Sequence, residues 1–155
     1  MRPNSRSRRL DPASDHRPIE EVIRELAQFR YALRRFLRFS ENATRRCGVT
    51  PQQHQLMLGV AGFTGRGSAT VSELAEFLQE QPHSVVGLIE RAALKGLVRR
   101  MQDKADRRVV NVSLTPSGKQ ILHRLSRLHR TEARRIQQLP GSENVFAGDG
   151  PSQIG

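Results

Sequence analysis

One cysteine, no tryptophan and a single tyrosine in 155 residues close several routes at once. A lone Cys47 cannot form an intrachain disulfide, and a cysteine-based zinc site needs more ligands than it supplies. Aromatic residues make up 5% of the chain, too few for a module that stacks single-stranded bases on aromatic platforms. No apolar run approaches the roughly 18 residues of a membrane span, and the longest, LMLGVAGF, is interrupted by glycine. The start, MRPNSRSRRLDPASDHRP, is basic but lacks the apolar segment of a secretory signal. Acidic residues are also in short supply. Fifteen Asp and Glu stand against 26 Lys and Arg, a formal charge of +11.

That imbalance favours polyanions as partners, chiefly nucleic acid or an acidic membrane surface. Most of the basic residues are Arg, whose planar fork suits phosphate and base edges better than the Lys point charge. The single thiol and the absence of a leader segment fit a cytoplasmic protein with no membrane partner.

The organisation follows from periodicity and caps. Residues 1–17 are polar and aperiodic, and are expected to form a flexible basic arm. Residues 140–155 are rich in Gly, Pro and Ser and are expected to form a flexible tail. Between them, 18–139 should form one domain. Ile19, Val22, Ile23, Leu26, Phe29, Leu33, Phe36 and Leu37 recur at helical spacing, predicting a long helix over 19–46. Thr50, Pro51 and Gln53 form a capping box for a second helix. Thr70 and Glu73 form another, opening a short helix with Leu74, Ala75 and Leu78 inward. A tight turn leads to a helix from Pro82 that ends at Gly96 and buries Val85, Leu88, Ile89 and Ala92. Two short helices about a tight turn are a helix-turn-helix candidate.

After Gly96 the period changes to two. LVRRM and RVVNVSLT read as strands, with Arg108, Val110, Val112 and Leu114 on one face of the second. Thr115 and Pro116 then start a long closing helix over 116–139, with Ile121, Leu122, Leu125 and Leu128 on its main face. The fold class is mainly α with a small β-hairpin wing: a winged helix-turn-helix flanked by long helices whose apolar faces invite a second copy.

The stretch DRRVVNVSLTPSG fits D-x-R-x5-L-T-x-x-G through Asp106, Arg108, Leu114, Thr115 and Gly118. With VSELAEFL and SVVGLIERAALKGLVRR upstream, the chain resembles the MarR family of bacterial transcription regulators over residues 19–139. The resemblance implies a homodimer on a pseudo-palindromic operator, probing double-stranded DNA with the Pro82 helix in the major groove and the wing in the flanking minor groove. It also implies a small-molecule effector between the dimerisation helices and the reading lobe, with repression the commoner outcome. The chain departs from the family pattern in three places. Gln81 replaces a small hydroxyl before Pro82, Ala92 replaces a larger Leu, and no final helix is evident after residue 139.

The residues themselves support the same roles. Gln81, His83 and Ser84 sit at a helix start, where free N–H groups favour phosphate and side chains reach base edges. Arg91 lies two turns on, within reach of the backbone. Asp106 can hold Arg108 for a narrow groove, with Lys104 and Arg107 on phosphates. The bland alternative for Asp106 and Arg108 is a surface ion pair worth about 0–1 kcal/mol. Cys47 reads as a packing residue or a thiol sensor. His54 reads as a capping or surface residue, and His16, His54, His123 and His129 show no metal-ligand spacing. The sequence assigns no cofactor, no metal and no effector-binding residue. It contains no Ser-His-Asp order, phosphate loop or paired carboxylates, so an enzyme is not expected. The competing reading is a sequence-indifferent basic nucleic-acid-binding protein.

Overall fold

The computed structural model describes residues 17–137. The expected tail and, apart from Arg17, the expected arm lie outside them. The element order is α1 (Ile19–Arg46), α2 (Pro51–Leu58), β1 (Ser68–Thr70), α3 (Val71–Leu78), α4 (Pro82–Leu94), β2 (Val98–Gln102), β3 (Val110–Leu114) and α5 (Pro116–Gln137). This is a mainly helical winged helix-turn-helix with a small antiparallel sheet.

The helix starts are built as their sequences dictate. The Thr50 hydroxyl accepts from Gln53 N–H at 3.1 Å, while the Gln53 amide oxygen accepts from Thr50 N–H at 3.1 Å. Thr70 and Glu73 repeat this reciprocal pairing at 3.3 and 2.8 Å. Each box satisfies two N–H groups that a helix terminus otherwise leaves open. By contrast, Gln81 makes no side-chain cap for α4, and Pro82 occupies the first turn, where its missing N–H costs nothing.

The core lies where α2, α3 and α4 meet the sheet and the first half of α5. Leu56, Met57, Val60, Leu74, Ile89, Val112 and Leu125 are all fully enclosed there. Ala92 is completely buried, so the small side chain fits its site without opening that position to solvent.

Three features depart from the sequence reading. First, the sheet has three strands, in the order β1-β3-β2, because Ser68–Thr70 pairs antiparallel with β3, placing Ala69 opposite Val112. Second, α2 is followed by a π-helical turn over Gly59–Phe63, which apolar spacing alone did not distinguish from regular helix. A Cβ on Gly59 would stand 2.7 Å from the Phe77 ring, so this close approach to α3 needs glycine. Third, β3 begins at Val110, which leaves Arg108 in the wing's turn rather than on the strand face.

The L-T-x-x-G segment has a clear packing reason. Thr115 N–H donates to the Leu97 carbonyl at 3.1 Å, and its hydroxyl donates to the Gly96 carbonyl. That same hydroxyl oxygen accepts from Gly118 N–H at 3.0 Å. Gly118 passes so close to Leu97 that a Cβ would sit 2.0 Å from the Leu97 carbonyl oxygen. The end of α4, the start of β2 and the start of α5 are therefore locked at one point, which fixes the base of the wing.

Candidate nucleic-acid interface

Helix α4 turns Val85, Leu88, Ile89 and Ala92 inward, leaving Gln81, His83, Ser84, Glu90 and Arg91 exposed. Helical spacing aligns His83, Glu90 and Leu94 along the outward face. The sequence reading missed the last two. Leu94 is 90% exposed, and Glu90 pairs with Arg100 of β2 at 3.6 Å, tying that face to the wing. Arg91 and Ser84 flank this line. They line a cavity of about 380 Å3 shared with Pro51 and Gln52 at the start of α2 and Glu80 in the turn. That turn is tight because Gln79 takes the left-handed conformation at φ 54°.

The wing carries Lys104, Arg107 and Arg108, all exposed. Asp106 Oδ1 accepts from the Arg108 backbone N–H at 3.0 Å and from Nε at 3.1 Å, and Oδ2 accepts from Nη2 at 3.3 Å. These donors hold the Asp106 carboxyl below its ordinary range, the Arg108 side chain contributing most. The ion pair on which the sequence argument turned is therefore present.

Asp103 is the wing residue that sequence reasoning overlooked. Its Oδ1 accepts from Ala105 and Asp106 N–H at 2.8 and 3.2 Å, and its Oδ2 accepts from Asn111 Nδ2 at 3.3 Å. The two backbone donors lead in lowering its pKa. An Asp at the first position of a turn, followed two residues on by free N–H groups, is the usual signal for such a side-chain turn. Asp103 shapes the tip, and Asp106 orients the Arg on it.

The four predicted cations are thus Arg91 on α4 and Lys104, Arg107 and Arg108 on the wing, and the Glu90–Arg100 pair links the two elements. Arg99 Nε donates to Ser113 Oγ at 3.1 Å, bracing β2 against β3. Arg66 forms a two-point pair with Glu73 at 2.8 Å, lowering the Glu73 pKa and bracing the start of α3.

Away from this face, α1 leaves Ile19, Ile23 and Leu26 more than half exposed, an apolar stripe with no cover among the described residues. Farther along, α1 packs on α5 and α2, and there the sequence expectation for His54 fails. His54 is 2% exposed, and neither ring nitrogen has a hydrogen-bond partner among the described residues. Burial, and then the neighbouring His129, push its pKa down to about 4. Cys47, the residue that caps the end of α1, is half-buried. Among the described residues no group of three or more His, Cys, Asp or Glu could hold a metal ion, and no helix is long and apolar enough to cross a membrane.

This combination of elements and exposed surfaces defines a winged helix-turn-helix protein. Residues 48–109 match the model of the MarR family, the family that the wing motif resembles. The HTH-type transcriptional repressor MdtR of Bacillus subtilis is 38% identical over 71 residues, covering 46% of this chain and 44% of that protein. This chain spans only about half the length of the curated relatives it matches. The crystal structure of YusO from Bacillus subtilis superposes with a TM-score of 0.58 at 25% identity, covering 83% of this chain and 91% of that one. A variant of MepR from S. aureus, bound to an oligodeoxyribonucleotide, gives a TM-score of 0.58 at 24% identity, covering 76% and 85%.

Proposed function

We propose that this protein is a sequence-specific, double-stranded-DNA-binding transcriptional regulator. It acts in the cytoplasm, as a homodimer on a pseudo-palindromic operator. The observation that carries the reading is the pairing of two exposed elements on one rigid base: the outward face of α4 and a cationic wing whose Arg108 is held by Asp106. In this reading α4 lies in the major groove, where Gln81, His83 and Ser84 meet base edges or phosphates and Arg91 grips the backbone. Arg108 enters the flanking minor groove, and Lys104 and Arg107 bind phosphates. Fold-level likeness to a MepR variant bound to DNA supports the docking mode, and MdtR, a repressor by name, supports repression.

The apolar stripe of Ile19, Ile23 and Leu26 supports the dimer, since an amphipathic helix face of this kind is usually covered by a partner helix. A small-molecule effector, bound in a cavity of about 290 Å3 that Phe36 of α1, His54 of α2 and His129 of α5 line, relieves repression. No catalysis is part of the account.

Selection of bound duplexes from a random pool tests it. A two-fold-symmetric consensus, with half-sites about 10 base pairs apart centre to centre, is expected. Recovery of duplexes without any consensus would instead favour a sequence-indifferent binder, the reading suggested by net charge alone.

A further inference from the structure

Helix α4 carries a single carboxylate, Glu90, and presents it outward on the line of His83 and Leu94. On a face expected to meet phosphates, that charge is unfavourable. The fold gives little reason for it. Glu90 Oε1 faces Arg100 Nη1 at 3.6 Å, beyond hydrogen-bond length, and the two side chains are 56% and 45% exposed. An ion pair that open contributes about 0–1 kcal/mol. Gly87, one turn earlier on the same side of the helix, is equally unneeded by the fold. A mid-helix glycine is destabilising by about 0.5–1 kcal/mol relative to alanine. Its φ is not positive, and a Cβ would meet only Arg91 Nη1, at 3.3 Å. That atom is the far end of an exposed, flexible side chain, which can give way. Neither packing nor backbone conformation asks for glycine at 87.

From these two residues we infer that Glu90 is a specificity-determining residue of the DNA face. Its carboxylate accepts from the N4–H2 group of a cytosine in the major groove, and Gly87 leaves bare backbone beside it so that α4 comes close enough to the bases. The inference rests on the reading of α4 as the major-groove helix and names a base that it selects.

The chemistry of the base edges selects cytosine. An ionised carboxylate accepts hydrogen bonds and cannot donate. Guanine shows N7 and O6, and thymine O4, all acceptors that repel it. Adenine offers N6–H2 but sets the N7 acceptor beside it, whereas cytosine offers N4–H2 alone. The same charge acts against wrong sites. With no donor opposite, Glu90 is pressed against acceptors and phosphates, so non-cognate duplex is penalised as well as cognate duplex favoured. A chain with a formal charge of +11 keeps ample attraction for DNA despite one such repulsion. Arg100 has the complementary part: nearby phosphates draw its guanidinium from Glu90 and release the carboxylate for the base. Glu90 thus lowers non-specific affinity and raises discrimination.

Parallel selection of duplexes from one random pool, with the full chain and with its Glu90→Gln variant, tests this. The parent's half-site should hold one C·G pair that Glu90→Gln no longer requires, since an amide reads adenine instead. Anisotropy titrations on the parent's consensus and on a shuffled duplex give the second readout. Glu90→Gln should weaken the consensus about tenfold and tighten the shuffled duplex about threefold, so that the ratio of the two falls about thirtyfold. Gly87→Ala should weaken the consensus about tenfold while its urea midpoint stays level or rises. Arg100→Ala breaks the same ion pair but keeps the carboxylate. It should weaken both duplexes alike and retain the C·G preference. Selection of one and the same half-site by Glu90→Gln and the parent would overturn the inference. So would equal effects of Glu90→Gln and Arg100→Ala, which would make the pair a brace between α4 and β2 and nothing more. Unchanged consensus binding by Gly87→Ala would refute the close approach of α4. A parent that selects no consensus would sink the regulator reading itself, and this inference with it, whereas the other contrary results leave that reading standing.

Discussion

Asp106 grips Arg108 at its backbone N–H and at both Nε and Nη2, yet the Arg108 side chain stays 91% exposed. An ion pair so open to water contributes little to stability. Its geometry matters instead for where the guanidinium points, and a pre-aimed Arg loses less freedom when it enters a groove.

Loss of Arg108 should therefore be felt in DNA binding and not in folding. Arg108→Ala is expected to weaken operator binding by about 1–3 kcal/mol and to flatten preference at the outer A·T-rich positions. Asp106→Ala should give a smaller defect of the same kind, and the double variant should be less than additive, because both act through one contact. Anisotropy titrations at two salt concentrations separate this from simple phosphate loss, which weakens all sequences alike. Unchanged affinity in all three proteins would mean that the pair only decorates a turn.

Gly118 sets two effects of opposite sign against each other. In an open helix, Gly→Ala stabilises by about 0.5–1 kcal/mol. Here the new Cβ would lie 2.0 Å from the Leu97 carbonyl oxygen, and backbone on both sides cannot yield as a flexible side chain would. The clash should win, with Gly118→Ala costing at least about 2–3 kcal/mol in urea unfolding. Because this point sets the base of the wing, operator affinity should fall as well.

His54 makes stability depend on pH. Its pKa is 6.5 in the unfolded chain and about 4 when folded. Between these values the unfolded state binds the extra proton, so stability is fully present above about pH 6.5 and declines as pH falls towards 4. The loss should reach about 2–3 kcal/mol, given that His54 is 2% exposed. His54→Phe should flatten this slope relative to the parent in urea titrations at fixed protein concentration. An identical slope in both proteins would show that other groups carry the acid sensitivity.

The dimer is tested at α1. Ile23 and Leu26 are 58% and 56% exposed within one chain, so Ile23→Glu and Leu26→Glu should leave the monomer's core intact. Sedimentation at micromolar protein should shift from twice 17.5 kDa towards 17.5 kDa, and operator affinity should fall with it.

Much of this was legible before any coordinates. The helices followed from apolar spacing and from Thr50, Thr70 and Thr115 at their starts. The Asp106–Arg108 pair followed from spacing in the wing. Strand β1 was not legible, because three residues with one inward side chain have no periodicity, and Ser68–Thr70 becomes a strand only by pairing with β3. Arg108 was placed on a strand by alternation, whereas the side-chain turn of Asp103 ends the ladder before it. His54 was misread because Gln53 and Gln55 flank it. Local polarity suggested a surface, while the packing of α1 and α5 across α2 makes it a buried one.

The most direct test of the central claim is the ratio of two affinities for the unmodified protein: the selected consensus duplex and a shuffled duplex of equal length, at about 0.15 M salt. A sequence-reading regulator predicts a ratio of at least about 10^3 in favour of the consensus. A ratio near one, with both affinities falling equally steeply as salt rises, would contradict the account and leave a basic protein that binds duplex by charge alone.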